Sequence, residues 1–127
     1  MCGIIGISCP LDQSKTELLA EVENGVVPED PWLTGLDKAL FALAHRGPDD
    51  SGVFISLGSG IGLGHCRLSI LDPSPMANQP MISDDGQVVL VFNGEIYNFK
   101  ELRAGLEASG YQFCSESDTE VLLKLYL

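Results

Sequence analysis

Cys2 follows the initiator methionine directly, in the run Met1-Cys2-Gly3-Ile4-Ile5-Gly6-Ile7. Once Met1 is removed, one residue carries both a nucleophile and a base: the thiol attacks a carbonyl and the free α-amine takes the proton. An α-amine titrates near 7.7–8.0, so roughly a tenth or more is neutral at pH 7, whereas a lysine at about 10.4 needs a large shift to do the same work. Methionine removal is favoured when the second residue is small, and cysteine qualifies. The competing reading of Cys2 is packing, since cysteine is among the most buried residue types. Arg67 is the second residue with chemistry to offer. It ends an apolar segment in a chain of net charge −11, where a guanidinium calls for a nearby anion, either a bound carboxylate or a surface acid. His45 and His65 lack the acid spacing of a metal site and read as structural.

The elements that have to hold these residues follow from pattern. Gly3–Ser8 is a β-branched apolar run, expected as a strand buried on both faces that would fix Cys2 in a rigid place. Residues 14–24 form an amphipathic helix pattern with Leu18, Leu19 and Val22 on one face, stopped by Gly25. A Pro- and acid-rich loop leads to Thr34, a candidate cap for a helix through Ala44 with Leu36, Leu40 and Leu43 inward. Residues 45–52 make a polar turn. Strands are expected over 52–57 and 61–67, with Gly58-Ser59-Gly60 as the hairpin between them, and the glycines at 62 and 64 signal close backbone approach. Residues 72–80 are a proline-rich loop, 84–86 a turn, and 87–93 an apolar strand ending at Asn93-Gly94. Asn98 is placed to cap a helix to about Ser109, with Gly110 as its stop. Residues 111–114 read as a short strand, and Ser117 with Glu120 as a capping box for a last helix over 118–127. That helix ends in Val121-Leu122-Leu123-Lys124-Leu125-Tyr126-Leu127, an apolar finish that suggests a cut through a larger domain.

Composition limits the alternatives. At 127 residues and 45% apolar content, one domain with a real core is expected. The charge of −11 offers nothing to phosphate backbones or anionic lipid, so nucleic-acid and membrane partners are not expected. No apolar run reaches the roughly 20 residues of a membrane span, and no signal peptide is visible. Cys2, Cys9, Cys66 and Cys114 form neither a C-x-x-C pair nor a zinc pattern. A reducing cytoplasm is therefore expected, with the last three cysteines read as packing residues.

Separated segments resemble one family in order and approximate spacing. The start Met1-Cys2-Gly3-Ile4-Ile5-Gly6 resembles that of class II (N-terminal-nucleophile) glutamine amidotransferases. The segments His45-Arg46-Gly47-Pro48-Asp49, Gly64-His65-Cys66-Arg67-Leu68-Ser69-Ile70-Leu71-Asp72, Asn93-Gly94-Glu95-Ile96-Tyr97-Asn98 and Ser117-Asp118-Thr119-Glu120 resemble the glutaminase domain of glutamine-hydrolysing asparagine synthetases. Phe92 before the Asn-Gly pair, where other class II relatives typically carry a histidine, favours that subfamily. Residues 10–33 are longer than usual for it and look like an insertion.

The resemblance implies a set of roles. Cys2 attacks the side-chain amide of glutamine, releases ammonia and leaves a glutamyl thioester for water. The Asn93 amide and the Gly94 N–H serve as the oxyanion donors, although Asn-Gly is also an ordinary hairpin turn. Arg67 forks onto the substrate α-carboxylate. Asp118 pairs with the α-ammonium, with Glu95 assisting; helix-dipole compensation would also account for Asp118. Arg46 and Asp49 tie down the loop near the site, and residues 72–81 are placed to act as a lid. No metal is implied. ATP and magnesium belong to a synthetase domain with a Gly-rich loop, absent from this chain and expected as a C-terminal domain or separate subunit.

The fold implied is a four-layer αββα sandwich, of which 1–127 would be the N-terminal part of the glutaminase domain. Missing strands would leave apolar surface and lead to self-association. Two other readings remain open: a non-catalytic amidotransferase-like regulatory or interaction domain, and an N-terminal-nucleophile hydrolase acting on another amide. Against the latter, Arg67 and Asp118 suit a free amino acid.

Overall fold

The computed structural model describes residues 2–8 and 31–127. The helix expected over 14–24 and most of the 10–33 insertion lie outside the described residues. The fold is α+β, with β1 (Gly3–Ser8), α1 (Pro31–Leu43), β2 (Asp50–Ser56), β3 (Ile61–Arg67), β4 (Met81–Ile82), β5 (Val89–Leu90), α2 (Phe99–Ala108) and α3 (Asp118–Tyr126). The first helix starts at Pro31 rather than after Thr34, because proline is tolerated in a first helical turn, where its missing N–H costs nothing.

The first sheet runs β1-β3-β2, antiparallel throughout, with Gly3 opposite Cys66 and Asp50 opposite Arg67. Alternation along the strands separates two faces. One carries Ile5, Ile7 and Cys66 under α1, where Leu36 and Leu40 form the core and Leu43 packs against it. Here Gly64 is needed for space: a Cβ on it would stand 2.8 Å from Leu40 Cδ2. The helix thus lies directly on the centre of β3. The opposite face carries His65 and Arg67, both buried. β1 is not buried on both faces as its apolar run suggested. Among the described residues it is an edge strand covered by a helix on one side only, and Ile4 on the other is 44% exposed.

The second sheet is smaller than expected. β4 and β5 pair over two residues each, although 87–93 reads as a full strand. A ladder needs a facing backbone, and β4 supplies only Met81 and Ile82 before Ser83 accepts from Gly86 N at 2.8 Å and closes the turn. Val88, Val91 and Phe92, on either side of β5, are instead half-buried coil. Residues 111–114 form no strand; the Cys114 N–H is taken by Glu120 Oε1 at 2.9 Å rather than by a ladder. Cys114 is exposed, whereas Cys66 is buried as expected.

Both remaining helices obey their end signals in part. Asn98 precedes α2 but makes no side-chain cap bond, and Gly110, at φ 96°, ends the segment in the left-handed conformation. Ser117 Oγ caps α3 by accepting from Glu120 N at 3.2 Å. The Glu120 carboxylate does not return the bond. It accepts instead from Cys114 N, Ser115 N at 2.7 Å and Ser115 Oγ at 2.6 Å, which fastens the preceding segment onto the helix. Lys124 reaches Asp84 at 2.7 Å and links α3 to the β4–β5 turn.

Gly47 packs directly against the backbone of β3. A Cβ there would lie 2.3 Å from both C and O of Cys66 and 2.5 Å from Arg67 N, all backbone atoms that cannot swing aside. Gly47→Ala is expected to destabilise the fold by on the order of 3 kcal/mol, read as a lower midpoint in denaturant unfolding.

Candidate active site

Cys2 lies just before β1, in the position that extends the β1–β3 register to Arg67. Its sulfur accepts from Leu68 N at 3.3 Å and donates to Leu68 O at 3.7 Å, so the residue after β3 holds the thiol through both its N–H and its carbonyl. Arg46 Nε donates to the Cys2 carbonyl at 3.3 Å. Asp49 Oδ2 accepts from Ser69 N at 2.7 Å, and Asp49 N donates to Arg67 O at 3.1 Å. These bonds match the tethering expected of Arg46 and Asp49.

Arg67 is 8% exposed, and its partners are not the acid anticipated for a buried guanidinium. Nη1 donates to Ser74 O at 3.0 Å and to Asn78 Oδ1, while Nη2 donates to the Asp72 carbonyl. Asn78 passes its own amide proton to Asp50, the residue opposite Arg67 across the sheet. The anion is therefore reached through an intermediary, and three of the five guanidinium N–H groups hold the 72–78 loop.

In this structure the loop walls the cleft and is tied at several points. Asp72 is buried and accepts from Ser74 N at 2.8 Å and from Glu116 N at 2.7 Å. Gln79, also buried, donates to Thr119 Oγ1 at 3.2 Å and accepts from Phe92 N at 2.6 Å. The bond from Glu116 N, with those from Ser74, holds the Asp72 carboxyl below the usual carboxylate range. A depressed folded-state pKa stabilises above the unfolded value and is lost as pH falls through the folded one. Asp72 should therefore contribute fully above about pH 4 and progressively less below it. Urea midpoints measured from pH 6 downward should drop less steeply for Asp72→Asn than for the parent.

The remaining expected site residues come from two other segments. Asn93, Gly94 and Glu95 are exposed at the rim, and Asp118 is buried at the first turn of α3, where its Oδ2 accepts from Ile96 N at 2.9 Å. Asp118 thereby anchors the 93–98 segment to the helix. The Asn-Gly pair is not a hairpin turn. The chain bends at Gly94 without positive φ, and a Cβ there would stand 2.6 Å from Cζ of the Phe92 ring, which would have to turn aside.

All six residues singled out from sequence (Cys2, Arg67, Asn93, Gly94, Glu95 and Asp118) line one cleft of about 320 Å³. It is walled by the end of β3, the 68–79 loop, the 92–95 segment and the start of α3. A nucleophilic sulfur, a rigid guanidinium, an amide with a neighbouring glycine N–H and a buried carboxylate thus face one space. That space suits a small amide-bearing zwitterion. Sequence reasoning missed Gln79, which links the Phe92 backbone to α3. Its only signal is a polar residue in a proline-rich loop, and burial of that loop has no sequence signature.

The glutamine amidotransferase domain model matches residues 1–127, and the chain belongs to this family. It is similar to asparagine synthetase [glutamine-hydrolyzing] 2 of Bacillus subtilis, 45% identical over 126 residues, covering 99% of this chain and 14% of that protein. It is also similar to the putative asparagine synthetase [glutamine-hydrolyzing] 2 of Methanocaldococcus jannaschii, 41% identical with 99% and 24% covered. Amidase chry2 of Gibberella zeae is 38% identical, with 99% and 18% covered. The chain thus spans less than a quarter of the length of these relatives.

Proposed function

We propose that this chain hydrolyses the side-chain amide of L-glutamine to glutamate and ammonia, as the glutaminase half of an asparagine synthetase-like enzyme. The observation that carries this is the convergence of Cys2, Arg67, Asn93 and Asp118 on one cleft, on a chain of the amidotransferase family. With Met1 removed, the Cys2 amine takes the thiol proton and sulfur attacks the amide carbon. The oxyanion is met by the Asn93 amide and the Gly94 N–H. Collapse expels ammonia, protonated from the amine, and leaves a glutamyl thioester. Water then adds to the thioester carbonyl and releases glutamate and the thiol.

Arg67 offers its unengaged N–H groups to the α-carboxylate. Asp118 offers the oxygen not bonded to Ile96 to the α-ammonium, with Glu95 beside it. Every group in this sequence is supplied by the chain, so no cofactor enters the half-reaction. ATP and magnesium belong with the acceptor reaction, in the part of the relatives this chain does not match. Aspartate is the favoured ammonia acceptor.

The same reading assigns the two sheets to the inner layers of an αββα sandwich. In support, α1 covers the outer face of the first sheet while the cleft opens on its inner face. Half-exposed Ile4 on that inner face fits a surface that a further layer or a second copy covers.

Relatives carrying the name amidase support a second reading, in which the cleft serves another amide. Protein expressed from the complete gene separates the readings. Ammonia release from glutamine, but not from glutamine blocked at its amino or carboxyl group, is the expected result. Release from blocked substrates favours the broader amidase. Release from neither, with Met1 shown by intact mass to be gone, favours a non-catalytic domain.

A further inference from the structure

Among the described residues, His65 is the one polar side chain of the cleft engaged neither by the half-reaction nor by a hydrogen bond. It is 0% exposed, and neither ring nitrogen has a hydrogen-bond partner among the described residues. A buried polar group left unpaired is costly and ordinarily finds a partner. His65 nonetheless lines the cleft, two residues before Arg67 on the same face of β3.

The Phe92 backbone favours the protonated ring, although no hydrogen bond to it is made. Burial outweighs this and pushes the imidazole below its ordinary pKa, so the ring is neutral at pH 7 with one donor and one acceptor nitrogen. Phe92 is already held at its N–H by Gln79, and its ring lies against Gly94. The Phe92 carbonyl, by contrast, accepts no hydrogen bond among the described residues, and it leads into the Asn93–Gly94 bend.

We propose that His65 is a positioning residue: its ring N–H takes the Phe92 carbonyl when the cleft is filled and sets the Asn93–Gly94 donors against the oxyanion. This rests on the glutaminase reading above. The role is distinct from general acid–base work, since the ring acts on the backbone before the donors rather than on the reacting atoms. It predicts an effect on turnover that substrate affinity does not share.

The test uses the full gene product, with folding of each variant checked by thermal unfolding. His65→Leu should lower kcat for glutamine about 10- to 100-fold with little change in KM. Alkylation of Cys2 by iodoacetamide, which needs no oxyanion donors, should proceed at the parental rate. His65→Asn or His65→Gln, each keeping an N–H, should recover most of kcat. A parental kcat in His65→Leu, a parallel loss in KM and alkylation, or no recovery by either amide overturns the role.

Should no variant fold, nitrogen-15 spectra of the parent still decide. The ring should be neutral at pH 7 and above, and its protonated nitrogen should shift when a glutamine-like electrophile occupies Cys2. A ring that titrates normally, or ignores that occupancy, overturns the proposal. A parent that releases no ammonia overturns the glutaminase reading itself and this one with it, whereas an active parent with an indifferent His65 overturns this one alone.

Discussion

Cys2→Ala should abolish glutamine hydrolysis while leaving the unfolding midpoint close to that of the parent. The sulfur is held by the N–H and the carbonyl of Leu68 at 3.3 and 3.7 Å, contacts too weak to carry much of the fold. Loss of the nucleophile removes the covalent route altogether, and for a residue that acts as a unit with its base the drop should reach about 10⁴-fold or more in kcat. Cys2→Ser keeps a nucleophile of higher pKa and should be nearly as slow. A more searching version keeps the thiol and blocks the amine: a variant whose leader methionine is retained should bind glutamine yet turn it over at the level of Cys2→Ala. Ammonia release followed by coupled glutamate dehydrogenase reports both. Activity in the methionine-retained form would remove the amine from the mechanism.

Asn93→Ala is the second large effect. Asn93 is exposed at the rim and makes no hydrogen bond that stabilises the described structure, so its loss should leave stability within about 0.5 kcal/mol of the parent. Removal of one oxyanion donor costs about 10²–10³ in kcat, with KM for glutamine changed by only a few-fold. Steady-state kinetics on the full gene product gives both parameters. A rise in KM that matches the fall in kcat would place Asn93 in ground-state binding instead. Arg67 cannot be read so cleanly. Its guanidinium also holds the carbonyls of Asp72 and Ser74, and truncation would loosen the cleft wall along with any substrate contact.

The readability of this site in sequence follows from what each signal encodes. Cys2 was legible because its chemistry depends on chain position, which a sequence states outright. Leu36, Leu40 and the glycines of β3 were legible because helix-on-sheet packing leaves a periodic apolar stripe facing small residues. The strand over 87–93 was overdrawn because a β-branched run encodes burial, whereas pairing depends on a partner backbone that here lasts two residues. Residues 111–114 show the same limit. Their alternation suggests a strand, yet Phe113 lies under the Arg103 guanidinium at 4.6 Å and the following carbonyl of Ser115 accepts from Arg103 Nη1 at 2.7 Å. Gln79 was missed as a contributor because nothing local distinguishes a polar side chain that closes a long-range link from one that faces water.

The thiols of this chain sit in unlike surroundings, with a consequence for chemical probing. Cys66 lies on the α1 face of β3, bonded at 3.4 Å to Leu40 O, and burial pushes its thiol above the ordinary range, so maleimides and haloacetamides should leave it unmarked in folded protein. Cys114 is open to solvent and will consume such reagents. A stoichiometric label is therefore a misleading gauge of active-centre occupancy until Cys114 and Cys9 are exchanged for serine. With those two replaced, uptake of one equivalent reports on Cys2, and uptake of a second measures how often the sheet and its helix part company.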